Sequence, residues 1–126
     1  AADRAQHIAQ LVLPTIESGR HIVSDRSVYS TLAYQAYGRE LPLAEIRRIN
    51  DWAIRGCWPD LAILITVAPA TLTERMKERN KDRIERESTA FHDRVRNGFA
   101  SLAADEPDRF VVIDGNAASV ADRRLG

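Results

Sequence analysis

The 126-residue sequence lacks several features that would assign a class of protein at once. It has one cysteine, Cys57, so neither an internal disulfide nor a pair of thiolate zinc ligands can form within it. Its 18 basic and 18 acidic side chains cancel, which removes any general attraction to nucleic acid or anionic membranes. Its longest apolar run, residues 61–70, is interrupted by Thr66 and Pro69 and is too short to span a membrane. We therefore expect one domain in a reducing, cytoplasmic setting, with neither nucleic acid nor membrane as a partner.

Helical and strand patterns alternate along the chain. Apolar residues at helical spacing predict helices over residues 5–18, 27–37, 42–55, 69 onward and 88–102, with a last helix starting at Ser119. Pro14 should kink the first helix, because it lacks a backbone donor, and glycines end the first three: Gly19, Gly38 and Gly56. The inward stripe of the third helix is predicted at Leu43, Ile46, Ile49 and Ala53.

Three short apolar runs predict strands, at residues 21–25, 61–67 and 110–114. The run 61–67 is apolar on both alternating faces, which is typical of a parallel strand covered by helices on both sides. The alternation of helices and strands predicts an α/β fold with a parallel sheet flanked by helices. Ligands of such sheets bind beyond the carboxyl ends of the strands, which directs attention to residues 25–26, 114–115 and the loop after Val67.

The pair Asp25-Arg26 follows the first predicted strand directly. A strand that ends in an aspartate is where P-loop nucleotide enzymes hold Mg²⁺ at the phosphates, and an arginine offers a fork of donors that matches phosphate oxygens. The alternative is structural: Asp25 caps the helix that begins near Ser27 and pairs with Arg26.

The run that follows favours the first interpretation. Residues 25–35 read Asp-Arg-Ser-Val-Tyr-Ser-Thr-Leu-Ala-Tyr-Gln, and this run resembles the signature of thymidylate kinases. Ser27 stands where that family more often has an aromatic residue, and Ala36 where it usually has glycine. Residues 1–4, 55–61, 91–99 and 112–118 are also similar to family segments, and residues 79–87 resemble the lid of the bacterial type.

The resemblance implies an ATP-dependent nucleoside monophosphate kinase that phosphorylates dTMP, with ATP and Mg²⁺ required. Chain 1–126 would be a single domain, the C-terminal two-thirds of such a kinase, with a lid at about 79–87. The implied catalytic residues are Asp25, which also binds the metal, Arg26, Arg79 and Arg83. Those implied for the substrate are Arg4, Arg26, Ser30, Thr31, Tyr34 and Gln35, and those for ATP are Asn116 and Ala117. The family usually forms homodimers, for which Ile8, Val12 and Ile16 or the region around Trp52 offer a face.

Simpler interpretations stay open for several of these residues. The charge-rich segment 74–87 is also compatible with a solvated helix surface, and Tyr34 and Gln35 with ordinary helix positions. A pyrimidine edge does, however, require a donor and an acceptor together, which Gln35 and the hydroxyls of Ser30 and Thr31 supply.

No Gly-x-x-x-x-Gly-Lys-Ser/Thr motif occurs in these residues, so the phosphate-binding loop of such kinases is absent from them. We therefore expect an N-terminally shortened chain of a larger enzyme, inactive by itself. The alternatives are another nucleoside monophosphate kinase and a noncatalytic dimerisation or binding domain of the same architecture.

Overall fold

The computed structural model of the protein describes residues 1–68, 70, 71, 74 and 89–116. The helical elements are α1 (Ala2–His7), a π-helical turn (Ile8–Val12), α2 (Leu13–Glu17), α3 (Val28–Thr31), a second π-helical turn (Leu32–Gly38), α4 (Leu43–Ala53) and α5 (Thr89–Asp105). The strands are β1 (Ala62–Thr66) and β2 (Phe110–Asp114). The predicted alternation of helices with parallel strands is confirmed.

The first helix is irregular where a kink was predicted. Pro14 has no N–H for the carbonyl four residues earlier, and the π-helical turn Ile8–Val12 lies just before it. The helix ends at Gly19, which has φ +85°, as predicted. Ile8 and Val12 are buried in the core of the chain, whereas Ile16 is exposed.

The helix formed by α3 and the second π-helical turn packs closely on α5. Its predicted inward residues, Val28, Leu32 and Ala36, are all buried. Two glycines permit the close approach: a Cβ atom at Gly38 would lie 2.7 Å from the Phe91 ring, and one at Gly98 would lie 2.6 Å from Tyr37. Gly38 therefore ends its helix and also leaves room for α5.

The two strands pair in parallel, with a register that runs from Ala62 opposite Phe110 to Thr66 opposite Asp114. Ala62, Leu64 and Phe110 are half-buried, whereas Ile63 and Ile65 are 59% and 63% exposed. The prediction that β1 is covered on both faces is therefore wrong for the described part of the chain, because the face of β1 that carries Ile63 and Ile65 is exposed there.

Two further predictions are wrong. Residues 21–25 form no strand, a bend falls at Asp25, and Val23 is fully exposed. Residue type alone favours an extended backbone, whereas a strand also needs a neighbour for its N–H and C=O groups. In α4, Ile49 is 51% exposed and Asn50 is buried in its place, with the Asn50 amide donating to the Ile46 carbonyl at 2.8 Å.

Several predicted features lie wholly or mostly outside the described residues: the helix from Pro69, the lid at 79–87 and the helix start at Ser119. In the part that is described, even the 17-residue α5 has neither the length nor the apolarity of a membrane span, and the other helices are shorter.

A polar cluster joins α3 to three other parts of the chain. The Tyr29 hydroxyl accepts a hydrogen bond from Arg109 at 2.8 Å and donates one to Glu106 at 3.1 Å. Arg47 of α4 donates to the other Glu106 oxygen at 3.4 Å. We call Tyr29, Arg47, Glu106 and Arg109 the Tyr29 cluster. The Tyr29 side chain is 2% exposed, and its ring lies 4.7 Å from the ring of Phe110, edge-on.

Replacing Tyr29 by phenylalanine should lower the free energy of unfolding by about 2–3 kcal/mol, because two hydrogen bonds to charged partners disappear. Tyr37→Phe is the matched control, since the Tyr37 hydroxyl has no hydrogen-bond partner among the described residues. Urea unfolding of both variants measures the difference. Equal stabilities would show that the cluster contributes nothing.

The Tyr29 cluster should also make stability depend on pH in the alkaline range. Burial raises the pKa of the Tyr29 hydroxyl above its ordinary value. The unfolded chain then loses this proton first, at about pH 10, so the contribution is complete below that pH and declines as the pH rises further. We expect the stability gap between wild type and Tyr29→Phe to narrow above about pH 10 in urea unfolding. A constant gap would contradict the raised pKa.

Candidate functional site

The segment between α2 and α3 carries the predicted Asp-Arg pair. Ser27 has an extended backbone, and its hydroxyl accepts a hydrogen bond from the Tyr29 N–H at 3.2 Å, so Ser27 is the N-cap of α3. The Ser24 hydroxyl donates to the Arg26 carbonyl at 2.7 Å and closes the turn before the cap. The alternative that Asp25 caps this helix is therefore not what the structure contains.

Asp25 and Arg26 are both exposed. Within the described part of the chain neither side chain has an ion-pair partner, so the two do not neutralise each other. Asp25 lines an open groove of about 710 Å³ between the first helix and residues 21–25. The groove is lined by His7, Leu11, Thr15 and residues 21–25. An unpaired carboxylate in such a groove is available to a ligand or a metal ion.

Arg4 and Thr31 are in direct contact. The Arg4 guanidinium donates to the Thr31 hydroxyl at 3.1 Å, across 27 residues of sequence. Partial burial lowers the pKa of Arg4, although a guanidinium remains charged at any physiological pH. The contact brings two of the predicted substrate residues together and places a positive charge beside Thr31. Ser30 precedes Thr31 in α3 and is half-buried.

Tyr34 and Gln35 lie in the second π-helical turn but have different surroundings. The Tyr34 ring is half-buried against α5, 6.1 Å from the ring of Phe91 and 6.4 Å from that of Phe99. Gln35 is exposed, and its side-chain amide has no hydrogen-bond partner among the described residues. Tyr34 therefore has a packing role whatever else it does, while the Gln35 amide is free to contact a ligand.

The loops that follow β1 and β2 meet at the carboxyl ends of the strands. The Asn116 side-chain oxygen accepts a hydrogen bond from the Ala68 N–H at 2.8 Å, and the Asn116 N–H donates to the Asp114 carboxylate at 2.9 Å. Gly115 donates to the Thr66 carbonyl at 2.6 Å. The two loops therefore form one connected edge.

The predicted site residues fall into separate groups. Arg4 contacts Thr31, Tyr34 packs on α5, and Asp25 is the predicted site residue that lines the groove beside the first helix. Asn116 lies at the ends of the strands. Arg79, Arg83 and Ala117 lie outside the described residues. The predicted roles of all these residues remain predictions.

Asp25 also fits the expected magnesium ion. Across the described ranges no three His, Cys, Asp or Glu side chains form a cluster that could hold a metal ion. Magnesium at nucleotide phosphates does not need one, because it commonly takes one or two carboxylates and completes its shell with phosphate oxygens and water. A single exposed carboxylate such as Asp25 suits that arrangement.

The interpretation of the sequence missed the Tyr29 cluster and the contact between Asn116 and Ala68. Glu106 and Arg109 lie 77 and 80 residues from Tyr29, and Ala68 lies 48 residues from Asn116. The sequence contains one local signal for the Tyr29 cluster. Tyr29 follows the Ser27 cap on the buried side of a helix, and a buried hydroxyl needs a hydrogen-bond partner.

The fold has a solved counterpart in the crystal structure of thymidylate kinase from Ehrlichia chaffeensis. That structure matches with a TM-score of 0.67 and 30% identity, over 87% of this chain and 51% of the other. The parallel strand pair, the helices beside it and this match define an α/β protein of the nucleoside monophosphate kinase class. The family model described as thymidylate kinase matches residues 1–121. The chain belongs to the thymidylate kinase family.

Curated relatives agree with this assignment. The thymidylate kinase of Halothermothrix orenii is 41% identical over 120 residues, which cover 92% of this chain and 57% of the relative. That of Trichormus variabilis is 45% identical over 117 residues, covering 91% of this chain and 56% of the relative. The chain thus spans a little over half the length of the relatives it matches.

The identity of the helix cap can be tested by stability. Ser27→Ala should lower the free energy of unfolding by about 1 kcal/mol, because the first turn of α3 loses its acceptor, and Ser27→Asp should restore most of it. Asp25→Ala should change stability by less than about 0.5 kcal/mol, since Asp25 has no described partner. Chemical denaturation measures all three. If Asp25→Ala lowers the free energy of unfolding more than Ser27→Ala does, Asp25 and not Ser27 caps α3.

Proposed function

We propose that the complete protein is a thymidylate kinase, which transfers the γ-phosphoryl group of ATP to dTMP and yields dTDP and ADP for dTTP synthesis. The family match over residues 1–121 carries this proposal. The contact between Arg4 and Thr31 supports it, because a cation and a hydroxyl group meet where the family resemblance expects dTMP. A phosphate-binding loop is required for the reaction and does not occur in the 126 residues, so we assign the activity to the complete protein and expect none from these residues alone.

The substrate side of the proposal uses residues of the first helix, of the segment before α3 and of the helix that begins at α3. Arg26 supplies positive charge for the dTMP phosphate, and Arg4 reaches the phosphate or the base; a guanidinium fork suits phosphate oxygens. The Gln35 amide and the hydroxyls of Ser30 and Thr31 supply donors and acceptors for thymine. Tyr34 forms part of the wall beside the nucleoside, held by its contacts with α5.

The phosphoryl-transfer side rests on Asp25, Arg26 and the lid. Asp25 would hold Mg²⁺, which when bound neutralises charge on the phosphates. Arg26 is exposed and has no ion-pair partner within the described residues. Its guanidinium is therefore free to contact the phosphoryl group during the transfer. Arg79 or Arg83 of the lid would touch the transferring phosphate. Asn116 and Ala117 would flank the ATP base.

Cytoplasmic location and a homodimer complete the proposal. Ile8 and Val12 belong to the core of the chain, so they cannot also form a dimer face. Trp52 is 83% exposed and Ile49 beside it is 51% exposed. This end of α4 therefore supports the second of the two faces considered for a dimer.

The activity is tested with the complete gene product, ATP, Mg²⁺ and a panel of nucleoside monophosphates. We expect dTMP to have the highest kcat/KM, and Asp25→Ala to reduce kcat by about 100-fold or more, because a charge that acts on the reacting phosphates is lost. Asp108→Ala is the control, since that exposed carboxylate lies in the turn before β2. Preference for another monophosphate would favour a different kinase of the class, and absence of transfer would favour a binding domain.

A further inference from the structure

The loops that follow β1 and β2 are joined by two hydrogen bonds that cross between distant parts of the chain. Gly115 donates to the Thr66 carbonyl at 2.6 Å, and Ala68 donates to the Asn116 side-chain oxygen at 2.8 Å. A Cβ atom at Gly115 would lie 2.8 Å from the Thr66 oxygen, so the two loops are in contact at this point. Asn116 is thus the side chain that ties the loop after β1 to the loop after β2.

The chemistry of the contact orients the Asn116 amide. The Ala68 N–H is a donor, so it must face the amide oxygen, and this directs Nδ2 elsewhere. Nδ2 has no hydrogen-bond partner among the described residues. The Asn116 N–H donates to the Asp114 carboxylate at 2.9 Å, which holds the backbone of the loop in a tight turn.

This contact lies at the edge of the sheet where ligands of this class of fold bind. Ligands of parallel α/β sheets bind beyond the carboxyl ends of the strands, and both loops begin there, at Thr66 and Asp114. A change in the spacing of the two loops would change the shape of that crevice.

We propose that Asn116 is a positioning residue for ATP: its amide oxygen sets the spacing of the two loops that border the nucleotide crevice, and the effect on ATP passes through the Ala68 backbone. The inference rests on the proposed function for its ligand. It differs from the role expected from the sequence, in which Asn116 contacts ATP directly, because here the amide oxygen acts through the Ala68 backbone; direct contact would have to use Nδ2.

Two substitutions in the complete gene product separate positioning from direct contact. Asn116→Ala removes the acceptor, whereas Asn116→Asp keeps an oxygen for the Ala68 N–H and removes the Nδ2 donor. We expect Asn116→Ala to raise the KM for ATP about three- to tenfold, the effect of one lost hydrogen bond, and to leave the KM for dTMP within about twofold. Asn116→Asp should stay near the wild-type KM for ATP when the added charge is screened by about 0.5 M salt. Asn97→Ala, an exposed asparagine of α5, is the control.

Hydrogen exchange of the Ala68 amide gives a second readout that does not depend on activity. Protection should fall in Asn116→Ala and persist in Asn116→Asp. If both variants raise the KM for ATP equally at high salt while Asn116→Asp keeps its protection, Nδ2 contacts ATP directly and the positioning role is wrong. Unchanged protection in Asn116→Ala would also overturn it. If the wild-type protein has no transfer activity, the proposed function is wrong, and so is ATP as the ligand. The exchange data would still decide whether Asn116 ties the two loops together.

Discussion

The close packing of α5 on the helix formed by residues 28–38 is the contact on which the rest of the described structure depends. Leu32 and Leu102 are completely buried, and glycine at positions 38 and 98 leaves room for the Phe91 and Tyr37 side chains of the facing helix. Because core side chains interdigitate at crystal-like density, this contact fixes both the distance between the helices and their rotation. α3 thereby acquires a defined orientation with respect to the strand pair, because α5 leads directly into β2.

The packing of these two helices also positions the candidate site. Tyr29 is held by Glu106 and Arg109, at the far end of α5 and before β2, so the first turn of α3 cannot rotate independently. Ser27 attaches the preceding segment to this turn through its capping hydrogen bond. Asp25 and Arg26, which have few contacts of their own, are thus held at the start of α3 by a cap and by a buried tyrosine. An exposed charged pair can remain available for a ligand because its position does not depend on ion pairing.

Local patterns predicted most of the elements well. The bounds of β2, the stripe of Val28, Leu32 and Ala36, and the ends of three helices at glycines all follow from periodicity and backbone preference within a few residues. The failures share a different cause. Ile49, Ile63 and residues 21–25 have the composition of buried or paired positions, yet burial and pairing depend on whether another element lies beside them. No local pattern contains that information.

By itself, the sequence determined the family and the residue types available for chemistry, because the run from Asp25 to Gln35 is contiguous and recognisable without any fold. Tertiary structure alone decided which of these side chains are engaged and which are free. It engaged Ser27 as the cap, paired Arg4 with Thr31 and tied Asn116 to Ala68. The last two contacts join residues 27 and 48 positions apart, and such pairs are selected by the packing of whole helices and strands, which no short stretch of sequence encodes.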